Sequence, residues 1–274
     1  MSSRFLDKVC VVTASTDGIG FAIARRFAEE GGKVLISSRK ASNVHSSTAA
    51  LRKVAKTPDH IEGVVCHVGK EADRHALLEK AKAAFGSIDV LVLNAAASTH
   101  YGTSLSATEG SFDAMFNLNV KATFFLAKEA RDYFTPSSFT PGGFSSNVLL
   151  VSSIAGYLPA SPIGIYGITK TAEIGLTRLL AQDYAPLGIR VNCLAPGIIR
   201  TKFSQPLVEA AEAKLKGETT GLMLQSSTPF DGGLMRRVGE ASEMAAVAAF
   251  LCSADASYIT GETTIAAGGV NCRL

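Results

Sequence analysis

The sequence predicts a single α/β domain over residues 1–274, a doubly wound parallel sheet with helices on both faces. Three observations carry that prediction. Short β-branched runs alternate with longer amphipathic runs from about residue 8 to the end of the chain. The short runs are nearly continuously apolar, as strands covered on both faces must be. A glycine-rich turn joins the first strand to the first helix, the place where such sheets bind ligands.

The elements follow in order. "KVCVVT" reads as the first strand and "GIGFAIARRFAEEGG" as the first helix; "KVLISS" is the second strand and "ASNVHSSTAALRKVAK" the second helix. "IEGVVCHV", "EADRHALLEKAKAAF" and "IDVLVLNAA" continue the rhythm as strand, helix and strand. Asn119 and "VKATFFLAKEARDYF" are read as a fourth long helix, followed by the strand "NVLLVSS" and a helix that contains Tyr166. "IRVNCLAPG", "ASEMAAVAAFLCS" and "ETTIAAGG" complete the pattern. Two stretches break it: the Pro/Gly/Ser loop "TPSSFTPGGFSS", and residues 198–238, a long insertion of the kind that forms lids over substrate.

Composition excludes several classes. Hydrophobic residues make up 47% of the chain and charged residues 19%, enough for a large core and contrary to disorder. A net charge of +3 with no Lys/Arg run makes nucleic acid an unexpected partner. Cys10, Cys66, Cys193, Cys252 and Cys272 are far apart and form no CxxC pair, so reduced thiols are expected. "MSSRFLDK" and the rest of the chain lack an apolar segment of membrane-spanning length, so no membrane span is expected. His45, His60, His67, His75 and His100 show no HxxxH spacing, and no metal site is expected. No nucleophile elbow is present, which argues against a hydrolase.

The turn "TASTDGIG" presents Thr13, Ser15, Asp17, Gly18, Ile19 and Gly20 at a strand-to-helix junction, where backbone N–H groups at a helix N-terminus can cradle a pyrophosphate. A dinucleotide is the expected ligand and a Rossmann-type sheet the expected frame. The second strand ends with Ser38 where a carboxylate would hold a ribose 2′-OH, and Arg39 follows. A guanidinium pairs with a 2′-phosphate where a carboxylate would repel it, so NADP(H) is the expected cofactor.

In "YGITK", Tyr166 and Lys170 are four residues apart and share a helix face. A free phenol titrates near pH 10. A neighbouring ammonium and the positive nicotinamide of the oxidised cofactor both favour phenolate, so Tyr166 is expected to have a lowered pKa and to act as the proton donor in carbonyl reduction. Ser152 and Ser153, at the end of "VLLVSS", are chemically equivalent candidates to hold a substrate oxygen.

In this arrangement the chain resembles the short-chain dehydrogenase/reductase family. Thr13, Gly18 and Gly20 match the family's TGxxxGxG motif, with Ala14 in place of its first glycine. Asn94 in "NAAA", Asn119 in "NLNV", Ser153, Tyr166-x-x-x-Lys170 and "PGIIRT" follow in the family's order. The resemblance selects Ser153 over Ser152 and implies a catalytic set of Asn119, Ser153, Tyr166 and Lys170, with Asn119 holding a water that relays protons to Lys170. It implies further cofactor contacts from His67, where the family usually has Asp, and from Asn94, Tyr166, Lys170, Pro196, Gly197, Ile199 and Thr201.

Within the family the chain looks closest to a group of NADPH-dependent carbonyl reductases and retinol dehydrogenases. "VVTASTDGIGFAIARRFA", "VCHVGK", "IRVNCLAPG" and "FLCSADASYITGE" carry that likeness. It implies small carbonyl substrates (retinal, aromatic ketones, α-dicarbonyls, some 3-ketosteroids) and a homotetramer. A 3-oxoacyl thioester reductase would use the same four residues, and an NADP-binding scaffold without catalysis would keep only the cofactor residues. Cys272-Arg273-Leu274 fits the small–basic–Leu pattern of peroxisomal import, so peroxisomal residence with a cytosolic fraction is expected.

Overall fold

Alternate residues of each strand face opposite ways, and in this chain both faces are apolar. In the computed structural model, which describes residues 3–217 and 233–270, that pattern builds a parallel sheet of order β3-β2-β1-β4-β5-β6-β7. The strands are β1 (Val9–Val12), β2 (Lys33–Ser38), β3 (Ile61–Val65), β4 (Val90–Leu93), β5 (Asn147–Val151), β6 (Arg190–Pro196) and β7 (Thr263–Ala266).

Val11, Leu35, Leu91, Leu150 and Val191 point to one side. There they pack against α3 (Glu71–Phe85), α5 (Ala122–Ala130) and α6 (Gly164–Tyr184), through Leu77, Leu126 and Leu180 among others. Cys10, Val12, Ile36, Val92 and Leu149 point to the other side, against α1 (Gly18–Glu29), α2 (Ala41–Arg52) and α8 (Ala241–Leu251), through Phe27, Leu51 and Ala248. Each fully buried Leu or Phe in these faces contributes about 1.5–3 kcal/mol. This is the doubly wound arrangement expected from the sequence.

The strand order reverses at β1, between β2 and β4, and a crevice opens there beyond the carboxyl ends of the strands. α1 starts at this point because the Asp17 carboxylate caps it, Oδ1 accepting from Gly18 N at 2.8 Å.

Two local differences from the sequence reading bear on function. The expected fourth long helix opens in a π-helical turn over Phe116–Lys121, which contains Asn119 and joins α5 to a further helix before it, α4 (Glu109–Met115). Periodicity cannot register one extra residue per turn, and such turns are frequent at functional sites. The insertion at 198–238 contains a helix, α7 (Gln205–Leu215), whose Leu207, Val208 and Ala211 are buried. The middle of the expected lid, residues 218–232, lies outside the described residues, as does the Cys272-Arg273-Leu274 tail. Among the described residues no helix is long and apolar enough to cross a membrane.

Candidate active site

The crevice at the switch point is a cleft of about 420 Å³, running from the ends of β2 and β3 past the N-terminus of α1 to β5, β6 and α6. Of the residues expected from sequence, it is lined by Asp17, Gly18, Ile19, Ser38, Arg39, His67, Asn94, Ser153, Tyr166, Lys170, Pro196, Gly197, Ile199 and Thr201. Thr13, Ser15, Gly20 and Asn119 are behind its wall.

The residues behind the wall hold it in place. Thr13 Oγ1 accepts from Asn94 N at 3.0 Å and donates to Val92 O at 3.1 Å, which locks the end of β1 to the end of β4. Ser15 Oγ donates to Val12 O at 2.6 Å and accepts from Ser37 N at 3.2 Å, tying the turn to β2. Gly20 allows α1 to approach closely, since a Cβ there would meet Asn94 Nδ2 at 2.4 Å and Ala14 O at 2.7 Å. Gly18 adopts φ +57, a left-handed conformation that glycine enters freely. Ala14 is also left-handed, at φ 49, and its Cβ carries the strain that the family's usual glycine avoids.

These features form a cradle for a dinucleotide. The α1 N-terminus opens on the cleft, and Asp17 there is neutralised by Lys202, with Nζ and Oδ2 2.9 Å apart. Lys202 and the Gly18 amide hold the Asp17 carboxyl below its ordinary pKa. At the far end Ser38 is half-buried and Arg39 exposed, and Arg39 has no ion-pair partner among the described residues. His67 Nδ1 accepts from Gly69 N at 3.1 Å, which orients the ring at the cleft wall. The donor set therefore fits a phosphorylated dinucleotide.

At the other end the chemistry-bearing side chains converge. Tyr166 is in the first turn of α6 and Lys170 one turn on, with Nζ 5.5 Å from the phenol ring centroid. Ser153 lines the cleft with Tyr166 and favours ionisation of its phenol, and its Oγ accepts from Ala155 N at 3.1 Å. Ser152 points the other way, Oγ donating to Lys170 O at 2.9 Å. The backbone alternation at the end of β5 thus separates two serines that composition leaves equivalent.

Asn119 is fully buried. Its Oδ1 accepts from Ala97 N at 2.8 Å, and its Nδ2 donates to Ala97 O and to Thr169 Oγ1, each at 2.9 Å. Both Nδ2 protons are committed by these bonds, and the side chain braces the loop after β4 against α6.

Lys170 pulls the Tyr166 phenol toward ionisation, but among the protein's own groups burial outweighs it and holds the phenol above its ordinary pKa, with Glu173 adding to the rise. Glu173 was not foreseen. Its carboxylate pairs with Lys170 Nζ at 2.8 and 2.9 Å, and both residues are buried. The available signal was the i, i+3 spacing of Lys170 and Glu173 on one helix face. Phe203, whose ring centroid is 5.9 Å from that of Tyr166, was also missed; it lies in the insertion, where no periodicity marks it.

Comparison with known proteins agrees with this geometry. The family described as Enoyl-(Acyl carrier protein) reductase matches residues 13–271. Dehydrogenase/reductase SDR family member 4 of Sus scrofa is 44% identical over 269 residues, covering 98% of this chain and 88% of that protein. The structure of L-sorbose reductase from Gluconobacter frateurii, complexed with NADPH and L-sorbose, superposes with a TM-score of 0.83 at 27% identity over 100% of both chains. That of 3-ketoacyl-(acyl-carrier-protein) reductase from Brucella melitensis, complexed with NADH, gives 0.80 at 27% identity over 96% of this chain and 98% of that one. The chain belongs to the short-chain dehydrogenase/reductase family of oxidoreductases.

Proposed function

We propose that this protein is an NADPH-dependent reductase of apolar carbonyl compounds, with retinal, aromatic ketones and α-dicarbonyls as the substrate classes to test first. The observation that carries the reading is the convergence of Ser153, Tyr166 and Lys170 in one cleft with an Arg39 that has no ion-pair partner among the described residues. When bound, NADPH supplies the hydride. Arg39 and Ser38 hold the 2′-phosphate, and the α1 N-terminus with Gly18 and Ile19 holds the pyrophosphate. Ser153 donates a hydrogen bond to the substrate oxygen, Tyr166 gives that oxygen its proton as it gains negative charge, and Lys170 favours the phenolate that remains. Asn119 keeps the loop after β4 and the first turns of α6 in register.

The substrate side favours an apolar carbonyl. Ile154, Ile163, Leu207 and Phe203 surround the mouth of the cleft beside Tyr166, and an apolar wall binds a ring or polyene better than a polyol.

A carbonyl panel with NADPH and with NADH, followed by loss of reduced nicotinamide absorbance, tests the proposal. NADPH-dependent turnover of aromatic ketones is expected, together with a loss of about 100-fold or more in Tyr166→Phe while NADPH still binds. Turnover of a 3-oxoacyl thioester alone would make the protein a thioester reductase, and binding without turnover of any carbonyl would make it a scaffold. A homotetramer, as the family likeness implies, is tested by light scattering.

A further inference from the structure

Lys170 and Glu173 form a pair that the reduction itself does not call for. A carboxylate so deep in a fold is costly unless a partner compensates it, and the partner here is the cation assigned to tune the phenol. Lys170 and Glu173 are 1% and 2% exposed, so the pair is screened from solvent. The ammonium has three protons. Val151 O accepts from Nζ at 2.8 Å, and the Glu173 oxygens accept at 2.8 and 2.9 Å, which leaves no ammonium proton uncommitted.

We propose that Glu173 is a positioning residue for the reaction, one that acts through Lys170: its carboxylate fixes the direction of the ammonium and sets how much of that positive charge reaches the Tyr166 phenol. The proposal rests on the reading of Tyr166 as proton donor. With Glu173 ionised the pair is neutral and Tyr166 sees little net charge; with Glu173 protonated the full cation acts on the phenol.

The surroundings are consistent with such control. On α6 itself the charged or titratable groups facing Glu173 are Lys170 and Tyr166. From the end of β5 the Ser152 hydroxyl, which donates to Lys170 O, favours the ionised carboxylate, and from β6 the Cys193 thiol is pushed up to about 12, by burial first and then by Glu173. Asn119 of the π-helical turn and Thr169 of α6, which are hydrogen-bonded to each other, are neutral. Tyr101, after β4, acts on Tyr166 in the same direction as Glu173. Burial raises the Glu173 carboxyl to about 7, against the pull of Lys170, so its charge changes in the physiological range. Glu173 in turn holds Lys170 protonated.

The test is Glu173→Gln, which keeps a hydrogen-bond acceptor but removes the charge, with Glu173→Asp as the conservative control. Tyrosinate formation is followed by ultraviolet difference spectroscopy, taking Tyr166 as the difference from Tyr166→Phe, and the pH–rate profile is recorded in parallel. Glu173→Gln is expected to move both the Tyr166 titration and the profile toward acid by about one pH unit, and Glu173→Asp to stay near wild type. Coincident titrations of wild type and Glu173→Gln would overturn the proposal.

If Glu173→Gln does not fold, carboxyl-carbon NMR on the wild-type protein decides instead. The Glu173 carboxyl is expected to titrate near pH 7, with the Tyr166 ring signals responding in the same step. Titration near the ordinary glutamate value, or a silent ring, would overturn the proposal. Full turnover in Tyr166→Phe would remove the proton-donor reading, and the charge coupling would then be judged on the titration alone.

Discussion

Asn119 Nδ2 donates to Thr169 Oγ1 at 2.9 Å, and Thr169 Oγ1 donates in turn to Tyr166 O at 2.7 Å. Residues fifty positions apart are thereby joined in a buried chain that ends at the backbone of the proposed proton donor. Asn119→Ala leaves the Ala97 amide and carbonyl without these partners and is expected to cost about 1–3 kcal/mol of unfolding free energy in urea titration. Thr169→Val removes both hydrogen bonds of the hydroxyl but leaves Ala97 paired with Asn119, and is expected to cost less.

Cofactor choice is expected to follow Ser38 and Arg39. Arg39→Ala removes a charge-assisted contact to the 2′-phosphate and should lower kcat/KM for NADPH by roughly 10- to 100-fold, with little change for NADH. Adding Ser38→Asp places a carboxylate at the end of β2 and should turn the preference toward NADH. Steady-state kinetics with both cofactors checks this, and a wild-type enzyme that already uses NADH as well as NADPH would contradict it.

Ala14 at φ 49 predicts a stabilising substitution. Ala14→Gly removes the left-handed strain of a Cβ, about 1–2 kcal/mol, and gives back about 0.5–1 kcal/mol in unfolded-state entropy. A net gain of about 0.5–1 kcal/mol is expected, read as a raised urea midpoint. Cofactor affinity should be equal or higher, since the exposed methyl at the cleft wall is gone.

Acid stability is expected to depend on Glu243 at the start of α8. Arg237 first, then the Glu240 amide, pull its carboxyl from 4.5 down to about 2. A carboxyl lowered on folding adds stability that is fully present above its unfolded value and is lost as pH falls through its folded value. The contribution of Glu243 should therefore fade between about pH 4.5 and 2. Glu243→Gln should flatten the pH dependence of the urea midpoint across that window. An unchanged slope would contradict it.

Much of this protein is legible without coordinates, because much of it is local. Short, continuously apolar runs such as "VCVV" and "VLVL" encode strands, period-3.6 runs encode the helices packed on them, and the glycine turn marks where the cleft opens. The order of Asn119, Ser153, Tyr166 and Lys170 along the chain likewise identifies the family before any distance is known. Tertiary structure decided what depends on surroundings. It separated Ser152 from Ser153 by the direction of one strand end, placed Thr13 and Ser15 behind the cleft wall, and put Asn119 in a π-helical turn where a regular helix was expected. It also set burial against Lys170 at the Tyr166 phenol, since desolvation is set by everything packed around a group, and joined Glu173 to Lys170. Periodicity reports which face a residue is on; how far a charge there is shielded from water is fixed only when the other elements close over it.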